Sequence, residues 1–338
     1  MISKAEISRQ LNVDYTTVYR WEKAEKLKEE CLERGLNIDT GEIATQATQI
    51  PKADLSSPKG LPGPSDVDFS KLPGGDNSFR MTPELKKAQK RIEEMFGEGS
   101  FRFMDEKEET EMLPTGFKKL DDAIGGGMPK GKIIEFYGYN GTGKSTLAIQ
   151  IAAYFQKSKK RIAYIDFENA LDRKYSERLG LSLAETAFFE PKGQEEGMEI
   201  LRTLCEEGAS DLIIVDSVAA MSPTKEREGE VGDSNMGIHA KILNQVLRMI
   251  APDCNQKGVT VIFINQIRSS YDMFGAKEKT YGGFALGYWS SLRIQFKVES
   301  TKDKTEKRDA ILIPVKSRQA DPYVECKLEL IYGEGFKN

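Results

Sequence analysis

The chain has 338 residues, 30% of them charged, with a formal net charge of -4 at pH 7. That length holds one large core plus something small, and the near-neutral balance excludes a polycation, so any contact with nucleic acid has to come from a local basic or aromatic surface. Cys31, Cys205, Cys254 and Cys326 have no paired spacing of a zinc site or disulfide framework and read as reduced structural thiols; with no apolar run of membrane-spanning length and no export leader, the expectation is a cytoplasmic protein without a membrane partner.

At the N-terminus Ser3 and Glu6 form a capping box, and Ala5, Ile7, Leu11, Val13, Val18 and Trp21 are spaced like two short helices joined around 11–14. This predicts a helix-turn-helix domain over 1–45. Asp14 would cap its second helix, whose outward face carries Tyr15, Thr16, Thr17, Tyr19, Arg20 and Lys23, a set able to meet phosphates and base edges in a major groove. Glu22, Glu25, Glu29 and Glu30 nearly balance these charges, so the module docks either DNA or another protein. It resembles the small helix-turn-helix domains of phage and bacterial regulators.

Residues 51–75 hold five prolines and four glycines with few large apolar side chains, which predicts a flexible linker over 46–80. Within 81–112, Pro83 opens an amphipathic helix with Leu85, Ala88, Ile92, Met95 and Phe96 at helical spacing and Gly97 as its stop. Its apolar stripe either packs on its own core or docks on a neighbouring copy.

The remaining 113–338 is expected to be the main domain. The apolar run 133–137 reads as a buried strand, and it breaks into the glycine-rich stretch Gly138, Tyr139, Asn140, Gly141, Thr142, Gly143, Lys144, Ser145 and Thr146, with a helical segment over 147–155 behind it. That order is a phosphate cradle: glycines let backbone N–H groups converge on an anion, the helix N-terminus adds its partial charge, and Lys144 reaches the β- and γ-phosphates. Ser145 is the expected Mg²⁺ ligand.

Three further apolar runs, 162–167, 212–215 and 259–264, leave room for helices between them. Alternating strands and helices imply a mostly parallel sheet covered on both faces. The runs end in Asp166 and Glu168, in Asp216, and in Asn265 and Gln266, and the carboxyl ends of such strands line the ligand crevice. By charge and place, Asp216 is the second metal-holding group, Glu168 orients the water that attacks the γ-phosphate, and Gln266 senses that phosphate. The single histidine, His239, reads as a surface or helix-packing residue.

Two polar segments interrupt this pattern, 228–237 and 267–283, the second long and without a clear period. Long structureless segments inside a compact domain tend to be functional. The second carries Arg268, Tyr271, Phe274, Lys277 and Lys279, cations and aromatics suited to the phosphates and base faces of a single strand, or else it is a solvated lid. A last apolar strand, 311–315, is followed by Lys316 and Arg318.

From Met81 onward the ordered set MFGEGS, LPTGFKKLD, GGGMPKG, the phosphate loop, AYIDFENALD, IIVDSVAA, GEVGDSNMG, IFINQIR, MFG, YGG and LIYGEG resembles the RecA-type recombinases. The fold implied is α/β, a RecA-type P-loop NTPase core with a mostly parallel central sheet, joined to the small all-α N-terminal domain. The resemblance implies a DNA-dependent ATPase that uses ATP and Mg²⁺ to form filaments of itself on single-stranded DNA, pairs that strand with homologous duplex DNA and exchanges strands. Single-strand-binding and loader proteins are partners of the kind it suggests. It makes Glu168 the water-activating group, lays Asp172 and Tyr175 against adenine and ribose, lines the filament axis with both loops including Met236 and Gly237, and sends Lys316 and Arg318 to a neighbour's γ-phosphate. Residues 81–112 would then supply a contact between protomers.

Several positions depart from that family. Gly287 stands where a lysine is usual, Phe284 where an asparagine is usual, Arg318 replaces a lysine, and 269–272 is one residue shorter. Set against the resemblance, the family's C-terminal domain is expected to be missing, and one hypothesis is that the N-terminal helix-turn-helix would replace it in duplex capture, the plan of a phage-like variant. The competing reading is a regulatory or loading ATPase on the same fold, brought to DNA by its helix-turn-helix.

Overall fold

The computed structural model describes residues 81–103, 109–229, 237–272, 275–299 and 307–337, the side chains of 269–278 excepted. The helix-turn-helix over 1–45 and the linker over 46–80 lie outside the described residues. The chain divides into two units, Met1–Met104 and Asp105–Asn338.

In the first unit, helix α1 (Pro83–Phe96) begins as its sequence dictates. Thr82 Oγ1 accepts the Leu85 N–H at 3.2 Å, Pro83 fills the first turn, and Gly97 at φ 93° returns its N–H to Glu93 O at 2.9 Å. None of its residues is buried, and Met95 and Phe96 are exposed.

The second unit opens with β1 (Met112–Leu113), α2 (Lys118–Ile124) and β2 (Met128–Pro129). Next are β3 (Ile133–Gly138), α3 (Lys144–Lys157), β4 (Ile162–Asp166), α4 (Arg173–Arg178), β5 (Thr186–Phe189), α5 (Gln194–Glu206) and β6 (Leu212–Asp216). Then come α6 (Thr224–Glu228), α7 (Ile238–Lys257), β7 (Thr260–Asp272), β8 (Gly275–Thr280), α8 (Ala285–Trp289), β9 (Leu292–Val298), β10 (Lys307–Lys316), β11 (Cys326–Ile331) and β12 (Gly335–Lys337).

The large sheet runs β12-β11-β10-β9-β3-β7-β6-β4-β5, with β8 paired to β7. From β9 through β3, β7, β6 and β4 to β5 all neighbours are parallel, and β9 to β12 finish one side antiparallel. Because successive residues of a strand face opposite ways, runs such as IAYID and LIIVD are apolar throughout only if helices cover both faces. They do. Leu147, Ile151 and Phe155 of α3 pack with Ile134, Phe136, Ile162 and Tyr164 on one face, while Leu201 of α5 and Leu243, Leu247 and Ile250 of α7 pack with Ile165, Ile213 and Val215 on the other. Truncating one such side chain, Leu147→Ala for example, costs about 2–5 kcal/mol.

The structure corrects one expectation directly. Within the segment expected to lack structure, 267–272 and 275–280 are strand: β7 continues to Asp272 and pairs antiparallel with β8, Ile267 opposite Thr280 and Arg268 opposite Lys279. A ladder of polar residues satisfies its backbone as well as an apolar one does, so periodicity of apolar residues gave no sign of it. Cys205, Cys254 and Cys326 are buried and free. Among the described residues no helix is long and apolar enough to cross a membrane.

Candidate functional site

Parallel pairing sets the site. Gly138, where β3 gives way to the phosphate loop, stands in register with Gln266 on β7, and Asp166 stands in register with Asp216. The carboxyl ends of β3, β4 and β6 therefore open on one rim, which β7 passes at Gln266 on its way to Asp272. A cavity of about 280 Å³ there is lined by Asn140, Gly141, Gly143, Lys144, Ser145, Thr146, Glu168, Asp216, Ile264 and Gln266.

The loop itself is shaped by what surrounds it. Gly143 has φ 89°, and a Cβ there would lie 2.6 Å from the Phe336 ring, so both backbone and packing demand glycine. It caps α3 without any side-chain hydrogen bond, which leaves the first N–H groups of the helix for an anion. Thr142 Oγ1 donates to Tyr139 O at 2.9 Å, and Lys144 Nζ donates to the same carbonyl at 2.8 Å and to Gly138 O at 3.3 Å. Burial lowers the Lys144 ammonium from its ordinary value, and Asp216 and Glu168 work against that shift.

Asp216 is buried and accepts a hydrogen bond from the Tyr164 hydroxyl at 2.7 Å, and Ser145 lines the same cavity. Burial pushes the Asp216 carboxyl up to about 6; the Tyr164 hydroxyl and Ser145 oppose this, and the charges of Glu168 and Asp166 add to it. Glu168 is exposed, and its Oε1 accepts from Ser217 Oγ and from Gln266 Nε2, the latter at 3.2 Å.

The donor set fits a nucleotide triphosphate with a hard divalent cation. Glycine-bearing backbone, a helix N-terminus and a buried ammonium face one cavity with a hydroxyl and a carboxylate oxygen, the ligands Mg²⁺ takes alongside phosphates. Among the described residues no group of three or more His, Cys, Asp or Glu is placed to hold a metal ion.

Two residues expected at the ligand serve the frame instead. Asp166 is buried, and its carboxylate accepts four backbone N–H groups, from Glu168 and Asn169 at 2.9 Å and from Ala170 and Leu171 at 3.1 Å. It shapes the turn that carries Glu168. Asn265 is fully buried, donating to Glu135 Oε1 at 2.8 Å and Tyr281 O at 3.0 Å while its own oxygen accepts the Gln266 N–H. Buried Glu135 also accepts from Arg293 Nε at 2.5 Å, so β3, β7 and β9 are tied beneath the rim.

The other site candidates fall around this cavity. Asp172 caps α4, accepting the Tyr175 N–H at 3.0 Å, and the Tyr175 hydroxyl is 3.3 Å from Thr146 Oγ1, so both stand at the edge of the phosphate loop. Gly237 is the N-cap of α7 with φ 89°, while Met236 lies outside the described residues. Arg268 lies over the Tyr281 ring at 5.7 Å and Lys279 is exposed; Tyr271 and Lys277 are placed by backbone only, Tyr271 opposite Ala276 and Lys277 opposite Ser270, and Phe274 is outside. Lys316 and Arg318 do not line the cavity of their own chain. Lys316 Nζ instead donates to Gly287 O at 2.9 Å and Tyr288 O at 3.0 Å, at the end of α8. Phe284, at the start of α8, is 91% exposed. Tyr15, Thr16, Thr17, Tyr19, Arg20 and Lys23 lie outside the described residues.

Sequence reasoning passed over Ser217 and Tyr164. A signal existed for Tyr164: a phenol inside an otherwise aliphatic buried strand has to find a polar partner.

Residues 83–337 match the family model of the RecA N-terminal domain. The protein named Protein RecA from Gluconobacter oxydans (strain 621H) is 41% identical over 261 residues, covering 75% of this chain and 76% of the relative. Protein RecA from Streptomyces ambofaciens is 40% identical over 259 residues, 74% of this chain and 69% of the relative. Among solved structures, the crystal structure of the RadB recombinase aligns with a TM-score of 0.52 at 25% identity, over 67% of this chain and 99% of that one. With a family model matched over 83–337 and relatives about 40% identical across three quarters of its length, the chain belongs to the RecA family of recombinases.

Proposed function

We propose that the chain is an ATP-dependent recombinase that assembles on single-stranded DNA, pairs it with a homologous duplex and promotes strand exchange, hydrolysing ATP faster when DNA is bound. The observation that carries this reading is the double membership of Gln266. Its amide lies in the phosphate cavity on Glu168, and its backbone opens the stretch of β7 that pairs with β8.

In this reading Lys144 and the loop N–H groups hold the phosphates, and Ser145 and Asp216 would hold Mg²⁺, which when bound neutralises charge on the phosphate oxygens. Glu168 positions the attacking water and takes its proton, fixed in place by Ser217 and by the turn that Asp166 organises. Tyr175 and Asp172 border the nucleoside. Arg268 and Lys279, opposite each other on the β7–β8 ladder, supply cations for a single strand. Lys316 and Arg318 act on the nucleotide of an adjacent protomer, which makes turnover depend on assembly. Residues 1–45 form a separate module on the linker 46–80, and α1 joins copies of the chain.

The test is ATP turnover with and without single-stranded DNA, run beside a pairing assay with single-stranded circles and linear duplex. DNA should raise turnover and joint molecules should form, both abolished by Lys144→Ala. Turnover indifferent to DNA, with no joint molecules, would overturn the recombinase reading in favour of a regulatory or loading ATPase.

A further inference from the structure

The geometry points to Tyr164 as a positioning residue for the metal-bearing carboxylate of Asp216. This rests on the reading that Ser145 and Asp216 hold a divalent cation with ATP, and it adds a group that neither the phosphate-loop pattern nor the expected ligand set contains. Tyr164 is 2% exposed in the middle of β4, facing the α3 side of the sheet among Leu147, Ile151 and Ile162. Its ring packs on Phe188 at 6.2 Å between centroids. Register places it opposite Ile214, two residues before Asp216, so the phenol reaches diagonally to Asp216 Oδ2 at 2.7 Å.

Packing needs only the ring. A phenylalanine would fill the same space, and a hydroxyl buried among aliphatic side chains is unfavourable without a partner. Asp216 is that partner. The ring is buried and packed on Phe188, so the donor cannot follow the carboxylate if it turns, and it fixes one oxygen of a side chain whose terminal torsion is otherwise broad. The remaining lone pairs are thereby directed to Ser145 and the cavity. An outer hydrogen-bond donor of this kind orients a metal-holding carboxylate from behind.

Mn²⁺, titrated by electron paramagnetic resonance into the full chain saturated with a non-hydrolysable ATP analogue, tests this. Tyr164→Phe should bind Mn²⁺ about tenfold or more weakly, with a changed hyperfine pattern, while analogue affinity in EDTA stays at the wild-type value. Unchanged Mn²⁺ affinity would overturn the assignment. So would an equal loss of metal-dependent and metal-free analogue binding, which is the mark of a structural role only. Wild-type protein that binds no Mn²⁺ with the analogue would sink the reading of the site itself. Should Tyr164→Phe fail to fold, 3-fluorotyrosine placed at 164 keeps ring and hydroxyl. Its fluorine resonance should move on adding Mg²⁺ to the analogue complex, and a resonance blind to Mg²⁺ would refute the role.

Discussion

The side-chain amide of Gln266 donates to Glu168 Oε1 at 3.2 Å, across 98 residues of sequence. Glu168 owes its place to the turn after β4 and Gln266 to the ladder position beside Gly138, so a single hydrogen bond joins the turn after β4 to the start of the β7–β8 ladder. Gln266→Ala should uncouple them. Turnover without DNA should stay near the wild-type rate, while the DNA-stimulated rate drops about 10- to 100-fold, equivalent to roughly 1.4–2.7 kcal/mol of barrier. Steady-state ATPase at saturating nucleotide with and without single-stranded DNA measures this, and full stimulation in the variant would show that the amide carries no signal.

The turn beneath Glu168 depends on Asp166 for its shape. Four N–H groups converge on that carboxylate, and hydrogen bonds to a charged group contribute about 1.5–3 kcal/mol each, without adding fully. Asp166→Asn replaces one acceptor oxygen by an amide that faces N–H donors. The variant should lose about 3 kcal/mol or more of stability in urea melts, and its turnover should fall with Glu168 set loose. An unchanged urea midpoint would mean the turn holds its shape without the carboxylate.

These two cases mark where the sequence was legible. The phosphate loop and the four parallel strands could be read because glycines and unbroken apolar runs are local signals, and their shared rim is a consequence of parallel topology. Charge and place assign roles to Glu168, Asp216 and Gln266, which do line the cavity, whereas the inward turn of Asp166 and Asn265 could not be read. Asp166 and Glu168 differ by two positions, and only the fold decides that one turns inward to backbone N–H groups. The contacts of Ser217 with Glu168 and of Tyr164 with Asp216 span 49 and 52 residues and exist only once β4 and β6 are aligned. On the antiparallel flank the signal was present and went unread: Cys326, Leu328 and Leu330 alternate with Lys327 and Glu329, the period-two pattern of a strand with one buried face.

His239 gives a pH dependence of folding with a definite sign. Its Nδ1 is 3.0 Å from Gln194 Oε1, Gln194 Nε2 donates back to His239 O, and among the described residues its buried Nε2 has no partner. Burial lowers the imidazole from its ordinary value, and Glu226 opposes this. Below about pH 6.5 the unfolded chain therefore binds the proton that the folded chain resists, and stability falls as pH drops towards the folded value. Melting temperatures at pH 7.5, 6.5 and 5.5 should decline more steeply for the wild type than for His239→Ala. The chain has no other histidine to blur the comparison, so parallel profiles would refute the assignment.

Lys316 provides the test of assembly. Its ammonium rests on Gly287 O and Tyr288 O and is absent from the lining of its own chain's phosphate cavity, so it serves either α8 alone or a neighbour's nucleotide. The two roles separate in mixtures. If Lys316 acts across an interface, Lys144→Ala and Lys316→Ala are each inactive as pure filaments. Mixed, they form one class of interface that carries both defects and another, intact, in which a sound phosphate loop meets a neighbour's sound Lys316. Turnover on single-stranded DNA should then rise above that of either variant alone, with a maximum near equal proportions. If Lys316 only caps α8, Lys316→Ala should melt lower yet keep its turnover, and adding inactive Lys144→Ala should merely dilute it. Activity that tracks the simple average of the two proteins at every ratio would therefore rule out a role in trans.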